Sequence, residues 1–455
     1  MSGHHRGVVG VLATSSLLAI AWTALGEPPA QFIPLYGEQG RNYFYHSVRV
    51  QDVSADGSIV VGEVYDYFSY VTNAVYWPTN IAIAVPPFPG NQPGTVSAAH
   101  AVSADGRYIV GSRQWDGSVG QRQAFRFDRI GNEVRPLGWF PANYAFATPS
   151  SEALDVSDDG RFIVGGASSA RVLYGKEPFV YDASTGAMQR VIPAADPNYY
   201  AQGSASTISG DGRWTFGARY NFPSNAVAYA YSTPQLGGFG YAGLPNTGEV
   251  ILNSANEDGS QVVGAVTRLH PFYQTYTPAP VVVNNPYLGT GGTNLLDAYP
   301  SPFDSGQALS ISADGRTAVG YVPVYSPQGF ESYRFAVIWR QNLGIQDLES
   351  FLTETYGIDL RYWYLTEAVG ISADGTTIVG NGYENSYGSP TRGWKVILPP
   401  PTTRCIADFN SDGGIDGGDV EAFMNTWGSG EIEADVNEDG GVDGGDVEAF
   451  FIAWE

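Results

Sequence analysis

A short motif recurs seven times between residues 27 and 398, and it constrains the fold more than any other feature. Most copies read Val/Ile-Ser-Ala-Asp-Gly, and a further glycine follows six residues after each Asp. The seven acidic residues are spaced 47 to 60 residues apart: Asp56, Asp105, Asp159, Asp211, Asp258, Asp314 and Asp374. A repeat of this length indicates one supersecondary unit per copy.

The residues around each motif predict antiparallel strands. Asp-Gly between apolar runs favours a tight hairpin, because Gly tolerates a positive φ and Asp bonds to its own backbone. An apolar run follows each turn, as in residues 59–61, and a second lies beyond the recurring glycine, as in residues 74–77. A third follows in most copies. With the strand that leads into the turn, each repeat has four short strands. The turn explains the repeated Asp residues without a metal.

Seven four-stranded units are typical of a β-propeller. The sequence therefore predicts an all-β, seven-bladed propeller over residues 27–398. The last repeat lacks its fourth strand, and residues 32–36 are expected to supply it and so close the ring. A linear β-solenoid or two smaller sheet domains are the alternatives. A short helix is expected near residues 347–356.

Composition fits this fold class and excludes one kind of partner. The chain has 57 glycines and only 15% charged residues, as expected for a turn-rich β protein. Its net charge is −23, and residues 404–455 hold 14 acidic residues against one arginine. Nothing resembles the basic patch that phosphate binding requires, so we expect no nucleic-acid partner.

The N-terminus predicts export. Arg6 precedes an apolar run over residues 7–21, and small residues allow cleavage after Gly26. Residues 1–26 are therefore predicted to be a signal peptide of a secreted, cell-surface-associated protein, with a membrane anchor as the alternative. No other stretch is long enough for a membrane span. Cys405 is the single cysteine, free to pair with another molecule or to stay a thiol.

The last fifty residues contain one twelve-residue loop twice. Calcium takes oxygen ligands from positions 1, 3, 5, 7, 9 and 12 of an EF-hand-like loop, with Gly at position 6. Gly413 and Gly440 occupy position 6. The predicted ligands of the first ion are Asp408, Asn410, Asp412, Gly414, Asp416 and Asp419. Those of the second are Asp435, Asn437, Asp439, Gly441, Asp443 and Asp446.

Each loop runs into a helical sequence but has no helix before it. In the first, Val420, Phe423, Met424 and Trp427 share one helix face. This loop-then-helix duplication resembles the dockerin family. The resemblance implies two bound Ca²⁺ ions in residues 407–455, a linker over 399–406, and attachment through 405–455 to a cohesin-like or other anchoring protein. Gly-Gly pairs stand where such modules select their cohesin, and an acidic disordered tail is the alternative.

The repeats resemble extracellular proteins whose units read roughly SADGxxIVG. That resemblance implies no chemistry. A ligand site is instead suggested by aromatic residues in the variable loops, which include Phe68, Tyr70, Tyr333, Tyr362 and Tyr364. The candidates selected for ligand binding are Tyr65, Tyr67, Trp139, Tyr144, Tyr199, Tyr325, Trp363 and Tyr383. Packing of the loops against each other is the alternative role for any one ring.

Catalysis has little support in the sequence. Past the predicted signal peptide the chain has three histidines, His46, His100 and His270, at unrelated positions, and no nucleophile or metalloprotease motif. Loop carboxylates that could form a glycosidase pair are Asp66, Asp116, Glu152, Asp304, Glu331 and Glu384, and nothing selects among them. We therefore expect a non-catalytic scaffold that binds polysaccharide or a surface protein. A polysaccharide-degrading hydrolase or lyase and a purely structural surface protein are the alternatives.

Overall fold

A computed structural model describes most of the chain between residues 29 and 454. The described ranges are 29–38, 46–89, 96–115, 121–141, 149–170, 175–191, 202–220, 226–232, 239–240, 250–269, 276–284, 293–295, 305–325, 331–341, 344–385, 390–399, 406–407, 409–410, 415–431, 434–436 and 441–454. The predicted signal peptide and Cys405 lie outside them.

Strands dominate the described residues. In chain order the first fourteen are β1 (Gln31–Glu38), β2 (His46–Val53), β3 (Val60–Asp66), β4 (Val71–Trp77), β5 (Ile81–Ala84), β6 (Ser97–Val102), β7 (Tyr108–Gln114), β8 (Arg122–Asp128), β9 (Glu133–Gly138), β10 (Ser151–Val156), β11 (Phe162–Ala167), β12 (Glu177–Asp182), β13 (Ala187–Arg190) and β14 (Gly203–Ile208). The others are β15 (Trp214–Tyr220), β16 (Ala226–Ser232), β17 (Phe239–Gly240), β18 (Val250–Ala255), β19 (Gln261–Leu269), β20 (Tyr276–Asn284), β21 (Thr293–Leu295), β22 (Gln307–Ile311), β23 (Thr317–Tyr325), β24 (Glu331–Arg340), β25 (Gly344–Asp347), β26 (Trp363–Ile371), β27 (Thr377–Glu384) and β28 (Arg392–Ile397).

The strands form a propeller-like arrangement of meandering sheets. Five sheets have four antiparallel strands each, β6–β9, β10–β13, β14–β17, β18–β21 and β22–β25. The sixth has eight strands in the order β2-β3-β4-β5-β1-β28-β27-β26. A mostly β, propeller-like fold built from the sequence repeat is thus confirmed.

The recurring motif is a self-contained turn. The Ser54 hydroxyl donates to Asp56 Oδ1 at 2.6 Å, and the same oxygen accepts the Ser58 N–H at 2.9 Å. Ser54 Oγ in turn accepts the Ile59 N–H at 3.0 Å, one residue before β3 begins. Gly57 has a φ of +70°, where a side chain is strained. The Asp56 carboxylate therefore accepts its hydrogen bonds from within its own turn.

The recurring glycine after each turn has a packing reason. Each first strand has a register irregularity, which lies between Val50 and Asp52 in β2. A Cβ on Gly62, opposite it, would lie 2.1 Å from the Arg49 carbonyl oxygen, and one on Gly111 would lie 2.0 Å from that of Ala98. The irregularity brings two backbones too close for any side chain.

Backbone hydrogen bonds join the turns in a closed ring. Seven N–H groups each donate to the turn of the next repeat, at 2.9 to 3.4 Å, and the seventh returns to the first turn. The pairs are Ala55 to Ala104, Ala104 to Asp158, Asp158 to Gly210, Asp211 to Glu257, Glu257 to Ala313, Ala313 to Ala373, and Ala373 to Ala55. A linear solenoid would leave its two ends unpaired, so that alternative is excluded.

The N-terminal strand completes the last repeat, as the sequence predicts. β1 pairs antiparallel with β28, from Gln31–Ile397 to Leu35–Gly393. Its end then pairs in parallel with β5, at Tyr36–Ile81. Phe32 packs its ring on Trp363 at 4.9 Å. One strand therefore holds the first and last repeats together.

Three helices lie in the described part of the chain. Helix α1 (Leu348–Tyr356) begins at Asp347, whose side chain accepts the Ser350 N–H, and buries Phe351 against the last repeats. Helices α2 (Gly417–Ser429) and α3 (Gly444–Trp454) follow the two acidic loops. Among the described residues, none of these helices has the length and apolarity needed to cross a membrane.

Candidate functional site

The strand directions separate two faces of the propeller. Each first strand runs toward its Asp-Gly turn, and the second strand runs back, so all seven turns lie on one side, here named the turn face. The ends of the second strands, and the starts of the third and first strands, lie on the opposite side, the loop face. The first strands surround a central channel.

Exposed aromatic side chains cluster on part of the loop face. Tyr67, Phe68 and Tyr70 follow β3, Tyr333 lies near the start of β24, and Tyr362 and Tyr364 lie at the start of β26. These six residues are named the aromatic patch. Their exposure ranges from 42% to 75%, and they belong to three successive repeats of the ring. Large apolar side chains left in water on one side of a molecule are candidates for ligand contact.

The β3–β4 loop holds its rings in a defined arrangement. Asp66 is buried, its side chain accepts the Phe68 N–H at 2.8 Å, and its carbonyl accepts the Tyr70 N–H at 2.9 Å. Tyr70 has a φ of +57°, which is uncommon for a residue with a side chain. Tyr65 and Tyr67 meet edge to face at 4.9 Å. The loop is therefore ordered by its own backbone bonds before any ligand arrives.

The structure divides the aromatic candidates. Tyr67 is exposed, and Tyr65, Tyr325 and Tyr383 are half-buried at strand ends of the loop face. Trp139 is half-buried and packs against the core between two repeats. Trp363 is only 8% exposed and lies in the core against Phe32. The prediction that its ring binds a ligand at the surface was therefore wrong. Tyr144 and Tyr199 lie outside the described residues.

Two half-buried carboxylates that line the channel, those of Asp52 and Asp155, were not found from the sequence. Asp52 Oδ2 accepts the Val102 N–H at 3.0 Å, and Asp155 Oδ2 accepts the Ile208 N–H at 2.9 Å, so each links its repeat to another. Burial, the largest cause, raises the pKa of Asp52 to about 8, and the Asp155 charge adds to this. Burial likewise raises the pKa of Asp155 to about 6.

A second acidic pair lies beside them. A Cβ on Gly210 would come within 2.7 Å of a carboxyl oxygen of both Asp158 and Glu257, so glycine makes room for the pair. Burial first, and then the hydrogen bond and charge of Glu257, raise the pKa of Asp158 to about 7. The channel cavity here is about 120 Å³, which is too small for a saccharide unit. The hydrogen bonds that Asp52 and Asp155 accept from other repeats give these two carboxylates a structural role.

Three of the loop carboxylates named from the sequence can be described, and each has polar neighbours of its own. Asp66 is committed to its own loop. Glu152 is paired with His100 and Lys176. Glu384 lies near Tyr36, where burial first and then the Glu384 charge raise the tyrosine pKa. Asp116 and Asp304, and the Glu331 side chain, lie outside the described residues.

The C-terminal module is a duplicated helical unit with a shared core. Phe423 of α2 and Phe450 of α3 stack in parallel at 4.2 Å. Phe409 packs edge-on against both rings. The indole N–H of Trp427 donates to the Asp443 carbonyl at 2.7 Å, which ties the first helix to the second loop.

The last predicted calcium ligand of each loop is fully buried. Asp419 Oδ1 accepts the Asn410 N–H at 3.0 Å, and Oδ2 accepts the Asp416 N–H at 2.8 Å. These backbone N–H groups hold the pKa of Asp419 below its usual range. Asp446 Oδ2 accepts the Asp443 N–H at 2.8 Å in the second copy. Both carboxylates are thus folded back onto their own loops.

The structure describes only some of the other predicted calcium ligands. Asp435 and Gly441 are described, whereas Asp408, Asp412, Gly414, Asn437 and Asp439 lie outside the described residues. Among the residues that are described, no three acidic, histidine or cysteine side chains group as a metal site. The two buried carboxylates, those of Asp419 and Asp446, are oxygen donors of the kind that calcium prefers.

Comparisons with known proteins identify no relative by sequence. No family model matches the chain, and no curated protein matches it. Solved structures with a partly similar shape include an oligogalacturonate lyase from Vibrio parahaemolyticus, at 11% identity and a TM-score of 0.48, covering 82% of this chain and 98% of that one. TolB from Acinetobacter baumannii has 13% identity and a TM-score of 0.38, covering 84% and 83%.

A third similar structure is the β-propeller domain of the Trilobed protease from Pyrococcus furiosus. It has 13% identity and a TM-score of 0.40, and covers 64% of this chain and 79% of that one. Likenesses at this level assign no activity. The class that the sheets and the turn ring define is a propeller-like β protein, and its function has to be argued from its own residues.

Proposed function

We propose that this chain is a secreted, non-catalytic β-propeller that binds a glycan, or a protein at the cell surface, and is anchored through a calcium-loaded dockerin-like module. The aromatic patch on the loop face carries this proposal. Rigid scaffolds commonly present ligand-binding residues on loops, and flat rings with a polar edge suit the apolar faces of sugars.

The proposed propeller has seven blades. The eight-stranded sheet splits into two four-stranded units, β2–β5 and β26–β28 with β1, which meet only where β1 and β5 run parallel. Together with the five four-stranded sheets, these two units make seven. This number equals the number of hydrogen bonds in the ring of turns. The aromatic patch then covers three adjacent blades.

The proposed anchor binds two Ca²⁺ ions through the twelve ligands named from the sequence. The buried Asp419 and Asp446 support this, because each is oriented by backbone N–H groups of its own loop. Docking through residues 405–455 onto a cohesin-like or other anchoring protein would hold the propeller at the cell surface.

A glycan array with the full chain in calcium tests the proposal. We expect retention of at least one polysaccharide, and loss of that signal when Tyr67 and Tyr364 are both changed to Ala. Ile130→Ala is the matched control, because Ile130 is a 70% exposed apolar residue on the turn face. Equal binding by the double variant and the control would refute the assigned site. Release of reducing ends or unsaturated products from the bound polysaccharide would indicate an enzyme instead.

A further inference from the structure

A second cleft opens on the loop face, away from the aromatic patch. It lies between the repeats β10–β13 and β14–β17 and has a volume of about 370 Å³. Glu152 and Lys176 line one side, and Gln202 lines the other. Its volume falls within the range of small-molecule sites, unlike that of the channel cavity.

Two basic side chains lie against the acidic wall of the cleft. His100 Nε2 lies 3.2 Å from Glu152 Oε1, and the Lys176 ammonium contacts Glu152 Oε2. The close approach of the His100 imidazole, and then the Lys176 charge, hold the pKa of Glu152 below its usual range, although burial opposes them. The carboxylate is therefore ionised and oriented, and all three side chains keep a fraction of their surface in solvent.

Glycines keep the cleft open. Gly175 has a φ of +97°, and a Cβ on it would lie 2.8 Å from the Gln202 amide nitrogen. The Gly203 N–H donates to the Lys176 carbonyl at 2.8 Å, which fixes the two walls relative to each other. A side chain at Gly175 would push the Gln202 amide out of place.

We propose that this cleft binds one neutral hexose ring of the glycan. Glu152 and Lys176 neutralise each other, so a neutral ligand leaves their ion pair intact. The carboxylate accepts hydrogen bonds, the ammonium has donors beyond the one it gives to Glu152, and the Gln202 amide offers both kinds of group. Vicinal sugar hydroxyls need this mixture of donors and acceptors. A uronate would bring a second carboxylate toward Glu152 and bind less well.

The inference rests on the proposed glycan-binding function and gives it a polar subsite. The test is titration of the full chain, in calcium, with methyl glucoside, methyl galactoside, methyl mannoside and methyl glucuronide, followed by saturation-transfer NMR. We expect at least one neutral hexoside to bind more tightly than the glucuronide. Lys176→Met should weaken it roughly tenfold, the effect of losing one hydrogen bond to a charged group.

Matched variants separate the cleft from the patch. Arg135→Met removes an exposed Arg–Glu pair on another repeat and should leave hexoside binding unchanged. If Lys176→Met does not fold, Gln202→Ala at the opposite wall replaces it. Binding of every hexoside at wild-type strength by both variants, or binding of none by the wild type, overturns the inference.

The patch variant Tyr364→Ala distinguishes the two claims. It should weaken polysaccharide retention and leave hexoside binding intact. Polysaccharide retention without any hexoside binding leaves the proposed function standing and removes the cleft. Hexoside binding that depends on Lys176, without polysaccharide retention, supports the cleft and removes the patch.

Discussion

The turn face and the loop face of the propeller use their side chains in opposite ways. On the turn face, each repeated Ser and Asp is bonded within its own turn, as in Ser54 and Asp56. On the loop face, Tyr362 and Tyr364 remain in solvent with 63% and 48% of their surface exposed. From this difference we infer that the repeated residues build the scaffold. Residues that bind a ligand are then to be expected among those that do not repeat.

The largest expected effect comes from the recurring glycines. Gly111→Val would place a side chain against the Ala98 carbonyl, where even a Cβ would lie 2.0 Å away. Since neither backbone can move without breaking the sheet, we expect a loss of about 3 kcal/mol or more in the free energy of unfolding. Urea denaturation measures it. Gly186→Asn is the control, because its hairpin position is open and Asn tolerates a positive φ.

Substitution of a buried aromatic residue should lower stability far more than substitution of a residue in the aromatic patch. Trp394 is fully buried, so Trp394→Ala should cost about 3–5 kcal/mol. Tyr364→Ala should change stability by no more than about 0.5 kcal/mol, as for most surface sites. Thermal melts of both variants check this contrast. A large loss in Tyr364→Ala would mean that the patch is part of the scaffold.

Calcium should act on the C-terminal module and not on the propeller. Without the ion the clustered carboxylates repel each other, so we expect chelation to remove the helical circular-dichroism signal of α2 and α3 and to leave the signals of α1 and the strands. Calorimetry of the full chain should show binding at the two loops, and Asp446→Ala should abolish one event. Unchanged helix content after chelation would contradict the predicted module.

The channel carboxyls predict a pH dependence of propeller stability. The folded-state pKa values of Asp52, Asp158 and Asp155 are raised to about 8, 7 and 6, above the unfolded value of about 3.9. The folded state therefore binds more protons, and stability falls as pH rises from about 4 to about 8. Melting temperatures across this range check the slope.

Two variants sharpen that pH prediction. Asp52→Asn keeps an acceptor for the Val102 N–H and should flatten the slope. Asp128→Asn is the contrast, because its Arg107 partner lowers the Asp128 pKa to about 2. The contribution of Asp128 to stability is lost only in acid. Asp128→Asn should therefore leave the dependence of stability on pH unchanged above pH 5. A slope unchanged by Asp52→Asn would show that the channel is not its source.

Local chemistry explains what the sequence could predict. The repeats show the Asp-Gly turns, and they show that the last repeat lacks its fourth strand. As expected, β1 supplies this strand by pairing with β28. Strand alternation would have corrected the choice of Trp363, since neighbouring residues in a strand point to opposite sides and Tyr362 and Tyr364 are the exposed ones.

Contacts between distant repeats could not be found this way. Asp158 and Glu257 replace the Ala of the motif, 99 residues apart, and only the ring brings them to Gly210. Glu152, His100 and Lys176 likewise come from two repeats, and no spacing in the chain links them. Such sites depend on how the blades are arranged around the channel.

The most direct test of the central claim is the affinity of the full chain for the polysaccharide that it retains best. Surface plasmon resonance would compare the wild type with the Tyr67→Ala, Tyr364→Ala double variant and with Ile130→Ala. Loss of two stacking rings should raise Kd at least roughly tenfold, at about 1 kcal/mol or more per ring, with the control unchanged. An unchanged Kd in the double variant would contradict a binding site on the loop face.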